Sequence, residues 1–577
     1  MSSDIVSSTP VTMHRISVPV PVPLIADQSK LAWRRTHQRI TNERRAVTGS
    51  SPTYPIEATL KGEPRIQYLK RLLEQCLSHG TFTFQGKPVK VDAFKLKNME
   101  NWTMEGPTTP EEILQLLSER CEVKCEFCYL RMDPTNTVTK FNPNRTEHIQ
   151  EDIDLRLDLM TKGKRLFSPT FQLEEIIGHA EFRTVMRKIR QHSEEVICLN
   201  TTGSALTEDM IDFLQEMEPV EVRVSLNSVS PAERYRLMHD KKGLVLRALE
   251  SLHKRNMRFS VSIVMWPNLP WQELEAAIRF ADACQPYAII AILPGFTDQF
   301  SAEALFNTDE YWLDVVQRVG ALRFSIDTPL MAHPRLYEEN ELGYPANQPL
   351  VIGITPRSSS AKAGLRIGDI IVGIDEFLPI FGRRQVDSLL LLKHQQNPEK
   401  VVLHVIRNRE QIQLTLDVAE SYKDGYPYVP PFIDRLGIVL ISQGVAISDL
   451  RELSRIALAK KAKVVAVATS SIVLPSLQRL LDEWKVTLFS HVEIVPFIPR
   501  NKFYGGNICL GELCTASDFL DSIEDLHKSR PDVELVVIPS PAFGPGGWWR
   551  DLEGVSFTRL SRNSPISVEM LVCSAFE

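Results

Sequence analysis

Between residues 111 and 300 the chain alternates short β-branched runs with amphipathic helical stretches. The apolar periodicity predicts strands at 113–119, 165–171, 195–202, 221–228, 259–266 and 288–296. Helices are predicted between them at 181–192, 207–217, 243–256 and 271–284. Repeated strand-helix units imply a parallel sheet with its ligand site at the carboxyl ends of the strands, and six of them make a partial (β/α)6 TIM-like barrel, open on one side. Upstream, 66–80 patterns as an amphipathic helix and 81–94 as a hairpin turning at Gln85-Gly86-Lys87. Residues 1–60, rich in Ser, Thr, Pro and Arg, form a partly ordered extension.

Beyond 345 the pattern becomes compact and mostly β until about 420, and from 425 a further α/β pattern opens with strands at 436–444, 464–471 and 492–501. The predicted division is therefore an extension (1–60), a helix and hairpin segment (61–109), the barrel (110–340), a β module (345–420) and a C-terminal α/β domain (425–577). A chain of 577 residues is too long for one core, which agrees with several domains.

Composition narrows the function classes. An apolar fraction of 43% and a charged fraction of 24% are those of an ordinary globular protein. The net charge of -6 gives no reason to expect a nucleic-acid or membrane-surface partner. No run reaches the length of a membrane helix, and prolines break the apolar segment near the N-terminus, so a cytoplasmic protein is expected. Six of the nine cysteines, Cys76, Cys198, Cys284, Cys509, Cys514 and Cys573, are scattered without a disulfide-framework spacing, which fits a reducing compartment.

The other three cluster in CEVKCEFCYL as Cys121, Cys125 and Cys128. Thiols at CxxxCxxC are too close to pair with one another, but one loop can aim all three at a point, and soft thiolates suit iron-sulfur clusters or zinc. Structural zinc needs a fourth ligand, and no second CxxC or CxxH follows at finger spacing.

With the aromatic Phe127 before its last cysteine, this motif resembles the signature of the radical SAM superfamily. The resemblance implies that Cys121, Cys125 and Cys128 hold three irons of a [4Fe-4S] cluster. The fourth iron would chelate S-adenosylmethionine (SAM), whose reductive cleavage yields a 5′-deoxyadenosyl radical that abstracts hydrogen from a substrate. It also implies SAM contacts at Phe127, at Glu175 in the stretch Leu173-Glu174-Glu175 with His179 four residues on, and at Thr201 in NTTGS. Further contacts are implied at Ser225 and Asn227 in VRVSLNS and at Gly295 in ILPGF. Period-two alternation would put Ser225 and Asn227 on one face. The acids at 174–175 also suit a plain helix start, and short polar residues at strand ends are common turn formers.

Within that superfamily the chain resembles a subset with a PDZ module and a DUF512-type C-terminal domain. The PDZ likeness rests on Ser360-Ala361-Lys362-Ala363-Gly364-Leu365, the Gly368-Asp369 turn and two terminal strands. The C-terminal likeness rests on NKFYGGNICLGELCTASDFLDSI at 501–523. In that subset the PDZ module usually comes first, whereas here it follows the barrel. The 343–350 loop (GYPANQPL) would be the peptide-carboxylate loop, and its two prolines predict weak peptide capture. The resemblance further implies an electron donor such as flavodoxin or ferredoxin and a substrate, small molecule or peptide, that the sequence does not identify. Cys509, Cys514 and Cys573 are the candidates for a second cluster, although small buried apolar roles are commoner for such residues.

Overall fold

The computed structural model describes residues 80–84, 87–91, 103–105, 108–117, 123–128, 149–166, 175–298, 306–342, 348–417 except 381 and 397, 436–509 except 443–444, 511–543, 551 and 555–573. The extension at 1–60, most of the 66–80 helix and Cys121 lie outside them.

Strands β1 (Gly80–Phe84) and β2 (Lys87–Val91) form the expected hairpin, with Phe84 opposite Lys87. Strand β3 (Thr103–Glu105) is followed by α1 (Pro110–Leu114) and α2 (Ile149–Thr161), after which β4 (Lys164–Leu166) returns antiparallel to β3. Two predicted barrel strands are corrected here. Residues 113–117 of the first are helical, because Thr109 and Glu112 cap the turn reciprocally (Thr109 N to Glu112 Oε2 3.2 Å, Glu112 N to Thr109 Oγ1 3.3 Å) and Pro110 opens it. Residues 165–166 of the second belong to the β3–β4 ribbon.

The barrel units then run α3 (Phe182–His192), β5 (Ile197–Thr201), α4 (Glu208–Glu216), β6 (Val220–Ser225), α5 (Pro231–Met238), α6 (Val245–Lys254), β7 (Arg258–Val264), α7 (Trp271–Ala283), β8 (Ile289–Ile292), α8 (Thr308–Leu322), β9 (Leu330–His333) and α9 (Arg335–Glu341). Among the described residues the parallel sheet has five strands in sequence order, β5 to β9. Ile197, Leu199, Val222, Val224, Val261, Ile263 and Ile289 are fully buried in it. Helix α3 buries Phe182, Val185, Met186 and Ile189 in the same core, the i, i+3, i+4, i+7 spacing of one helix face.

Next come β10 (Leu350–Ile354), α10 (Ser359–Lys362), β11 (Ile370–Ile374), α11 (Arg383–Gln396), β12 (Lys400–Arg407), β13 (Glu410–Asp417) and β14 (Ile438–Ile441). These strands make one antiparallel sheet in the order β13-β12-β11-β10-β14. The β14 segment was expected to open the C-terminal domain. It pairs instead with β10, Leu350 opposite Ile441, so the middle unit runs past residue 420. The face of this sheet is joined to the barrel: Ile352, Val439 and Ile441 bury against Tyr287, Ala288 and Met331. Helix α9 holds the β14 strand, with Arg335 Nη1 donating to Leu440 O (3.2 Å) and Glu339 Oε1 accepting from Ser442 N (2.9 Å) and from Arg383 Nε (2.7 Å).

The C-terminal unit is α12 (Ile447–Lys460), β15 (Val464–Ala468), α13 (Leu474–Leu488), β16 (Glu493–Phe497), α14 (Ala516–Ser529), β17 (Leu535–Pro539), α15 (Phe557–Asn563) and β18 (Ser567–Leu571). Its parallel sheet has the order β16-β15-β17-β18. Between β16 and α14 the chain reaches back over the end of β8: Asp298 N donates to Tyr504 O (2.9 Å), Asn507 N to Phe296 O (3.1 Å) and Phe296 N to Asn507 Oδ1 (2.7 Å). No described helix is long and apolar enough to cross a membrane.

Candidate functional site

Three features meet at the carboxyl ends of β5 to β8: a cysteine loop, a threonine turn and a buried arginine. The cysteine loop is pinned to the end of α5, where Lys124 N donates to Met238 O and Glu126 N to Leu237 O, both at 2.7 Å. Helix α5 forms there because Pro231 occupies its first turn and Ser230 Oγ accepts from Glu233 N. Cys125 and Cys128 are both partly exposed and unpaired by disulfide, and Cys128 N donates to Cys125 O at 3.3 Å. Phe127 packs against Trp266, past the end of β7, with ring centroids 5.9 Å apart.

The threonine turn follows β5. Glu175, buried, accepts from Thr201 Oγ1 (2.7 Å), Thr202 N (2.7 Å) and Thr202 Oγ1 (2.6 Å), and Thr201 Oγ1 in turn accepts from Gly203 N (3.0 Å). Glu175 and Thr201, both expected at the site, are thus brought together, with their described bonds made to each other and to the turn. His179 Nδ1 accepts from Glu181 N (3.1 Å) at the start of α3.

Arg234 ties this turn to β6. Its Nε donates to Asp240 Oδ2 (2.7 Å), Nη1 to the carbonyls of Ser225 (3.0 Å) and Leu226, and Nη2 to that of Thr202. Burial lowers its pKa, while Asp240, Cys125 and Glu175 pull the other way. That opposition places a cysteine sulfur and a carboxylate within the field of one buried cation. Arg234 lies in the segment VSLNSVSPAERYRLM, and its signal is an arginine in the first turns of the helix that follows a barrel strand.

Ser225 and Asn227 do not share a strand face. The strand ends at Ser225, and Asn227 turns the backbone with a φ of 59°. Ser225 is partly exposed beside Ser262, Oγ to Oγ 3.2 Å. Asn227 is buried and bridges strands: its Oδ1 accepts from Val264 N (2.8 Å), and its Nδ2 lies 3.3 Å from Met238 Sδ. Gly295, beyond β8, is covered by the returning C-terminal segment, where a β-carbon would come 3.2 Å from Ile508 Cδ1.

Among the described residues, which exclude Cys121, no group of three or more His, Cys, Asp or Glu side chains is placed to hold a metal ion. Cys514 and Cys573 are buried, and burial pushes the thiols of Cys509 and Cys514 up to about 11 and about 12 and that of Cys573 higher still. Burial of this kind fits the small apolar role expected of these cysteines.

Residues 116–281 match the family model of the radical SAM superfamily. Their likeness is to a radical SAM domain. The matched span runs from the cysteine loop into α7, so it includes the cysteines, the threonine turn and Arg234. The comparison with curated proteins returns no match. Among solved structures the chain is similar to Streptococcus suis SuiB bound to its precursor peptide SuiA, at 11% identity and TM-score 0.31, over 49% of this chain and 63% of that one. The same protein bound to S-adenosylmethionine matches at 11% identity and TM-score 0.30, over 55% of this chain and 64% of that one. The chain thus spans under two thirds of SuiB.

The superfamily uses a [4Fe-4S] cluster and SAM. The residues present fit that pair: two partly exposed cysteine sulfurs on a loop held by backbone bonds suit iron, and Cys121 lies outside the described residues. The open edge around Ser225 and the Thr201–Gly203 turn supplies neutral hydrogen-bonding groups at the strand ends.

Proposed function

We propose that the protein is a radical SAM enzyme that generates a 5′-deoxyadenosyl radical and abstracts hydrogen from a substrate. The observation that carries this reading is the placement of Cys125 and Cys128, both partly exposed, at the carboxyl ends of a parallel sheet within the span that matches the radical SAM family model. When bound, the cluster and SAM supply one-electron cleavage of the sulfur to 5′-carbon bond, with methionine as the leaving product.

The chain's own residues position and enclose. Cys121, Cys125 and Cys128 hold the cluster, and the bonds from 124 and 126 to α5 fix the loop that carries two of them. Arg234 fixes the ends of β5 and β6 relative to that loop, and the Glu175 carboxylate fixes the turn after β5. Phe127 and Trp266 form an apolar wall that excludes water from the mouth. Ser225 hydrogen-bonds SAM, whose adenine lies near Gly295 at the end of β8, beside the Ile508 side chain that covers that glycine.

The middle sheet is a PDZ-like module and the last unit a DUF512-like domain. Both serve to close the barrel and not to recruit free peptides, since α9 occupies the β14 strand. A flavodoxin or ferredoxin provides the electron, in the cytoplasm and without nucleic acid or membrane. The test is anaerobic reconstitution followed by reduction with excess SAM. 5′-Deoxyadenosine and methionine should form, and a reconstituted cluster that leaves SAM intact would refute the reading.

A further inference from the structure

The C-terminal sheet contains a second ligand-binding geometry, separate from the thiol loop. In the order β16-β15-β17-β18, β15 is followed by a helix leading to one side and β17 by one leading to the other. The crevice at the carboxyl ends of β15 and β17 is therefore a topological switch point, the place where open parallel sheets bind ligands. Beside that switch point, at the carboxyl ends of β15 and β16, a cavity of about 430 Å³ opens between this sheet and the barrel helices α8 and α9. That volume is within the range of small-molecule sites.

Its chemistry is specific. The described lining carries Asp309 and Glu341, and no Lys, Arg or His. The rings of Trp312 and Tyr337 meet edge to face at 5.1 Å and line the same wall. Two carboxylates with no cation among them, beside aromatic faces, favour a positively charged guest.

An independent observation lies at the other end. Thr469, immediately after β15, lines the cavity and is 4% exposed, yet its hydroxyl finds no hydrogen-bond partner among the described residues. Buried polar groups are nearly always satisfied, so a partnerless hydroxyl on a residue that lines a cavity points to a guest that supplies the partner.

We propose that this cavity binds a small molecule bearing an ammonium group, held by Asp309 and Glu341 against Trp312 and Tyr337, with a hydroxyl or carbonyl that pairs with Thr469. Its wall includes Asn507 and Ile508, the residues that cover Gly295, so the guest sits one layer from the end of β8.

The test uses the full chain, saturation-transfer NMR and three probes of one length: 4-aminobutan-1-ol, 1,4-butanediol and 4-hydroxybutyrate. The amino alcohol should bind at least about tenfold more tightly than the diol, and the anion least. Asp309→Asn with Glu341→Gln should erase the preference, while Ser225→Ala should leave it. Thr469→Val should weaken the amino alcohol and hold or raise the melting temperature, because it removes an unsatisfied buried hydroxyl. Equal binding of the three probes, or no binding of the amino alcohol at ~10 mM, overturns the proposal. So does a Thr469→Val protein that melts normally and binds as before.

Discussion

Gly506 lies against the carbonyl oxygen of Phe296, so close that a β-carbon at 506 would overlap it. Its φ of 58° adds a second reason for glycine. Gly506→Ala should therefore cost more than the about 1 kcal/mol of a strained backbone alone and should release the 501–508 segment from the barrel. Gly243, with a similar φ of 59° but open space around it, is the control. Denaturant melts of the two alanine variants should differ clearly, and equal losses would show that the close approach carries no energy.

Reconstituted protein should hold about four irons in one cluster. Alanine at Cys125 or Cys128 should abolish it, and alanine at Cys509, Cys514 and Cys573 together should leave the iron count nearly intact. The raised pKa of Cys514, about 12 through burial, also predicts that its native thiol resists alkylation near pH 8 and reacts only on unfolding. A loss of about half the iron in the triple variant would reveal a second cluster.

Ser225 and Asn227 should separate experimentally. Ser225→Ala should weaken SAM by a few-fold, for one neutral hydrogen bond worth on the order of 1 kcal/mol, with little change in melting. Asn227→Ala strands the Val264 amide and should cost about 1–3 kcal/mol of stability. SAM titration beside a thermal melt reads both, and a stable Asn227→Ala protein that has lost SAM affinity would reverse the assignment.

The middle sheet should not survive excision at the boundary its composition suggests. A 345–420 fragment lacks β14 and leaves the β10 edge bare, so it should be unfolded or aggregated by circular dichroism and sedimentation. In the full chain, C-terminal peptides should fail to bind, because Leu440 O and Ser442 N already bond to α9. Micromolar peptide binding to the full chain would contradict this.

Helices α3, α4, α6 and α7 were legible from their apolar periodicity, as at Phe182, Val185, Met186 and Ile189, whereas α5, α8 and α9 were not read from the pattern. The run ILQLL misled because five mostly apolar residues suit either period; the decisive signal was the Thr109-Pro110-Glu111-Glu112 cap before it. Residues 438–441 were recognisable as a strand, but not as a partner of β10, since local pattern holds no information about which edge a strand will join. The same limit hid the bonds of 504–507 to 296–298, more than 200 residues apart. At the site, alternation failed for Asn227 because the strand stops two residues earlier.

The return of β14 also sets a timetable for synthesis. Strand β10 leaves the ribosome about 80 residues before the strand that covers its edge. At about 5–20 residues per second that edge waits roughly 4–17 seconds for its neighbour. During that interval the half-finished sheet can be shielded only by barrel strands made earlier, so the order of translation makes the barrel a template on which the middle unit is completed.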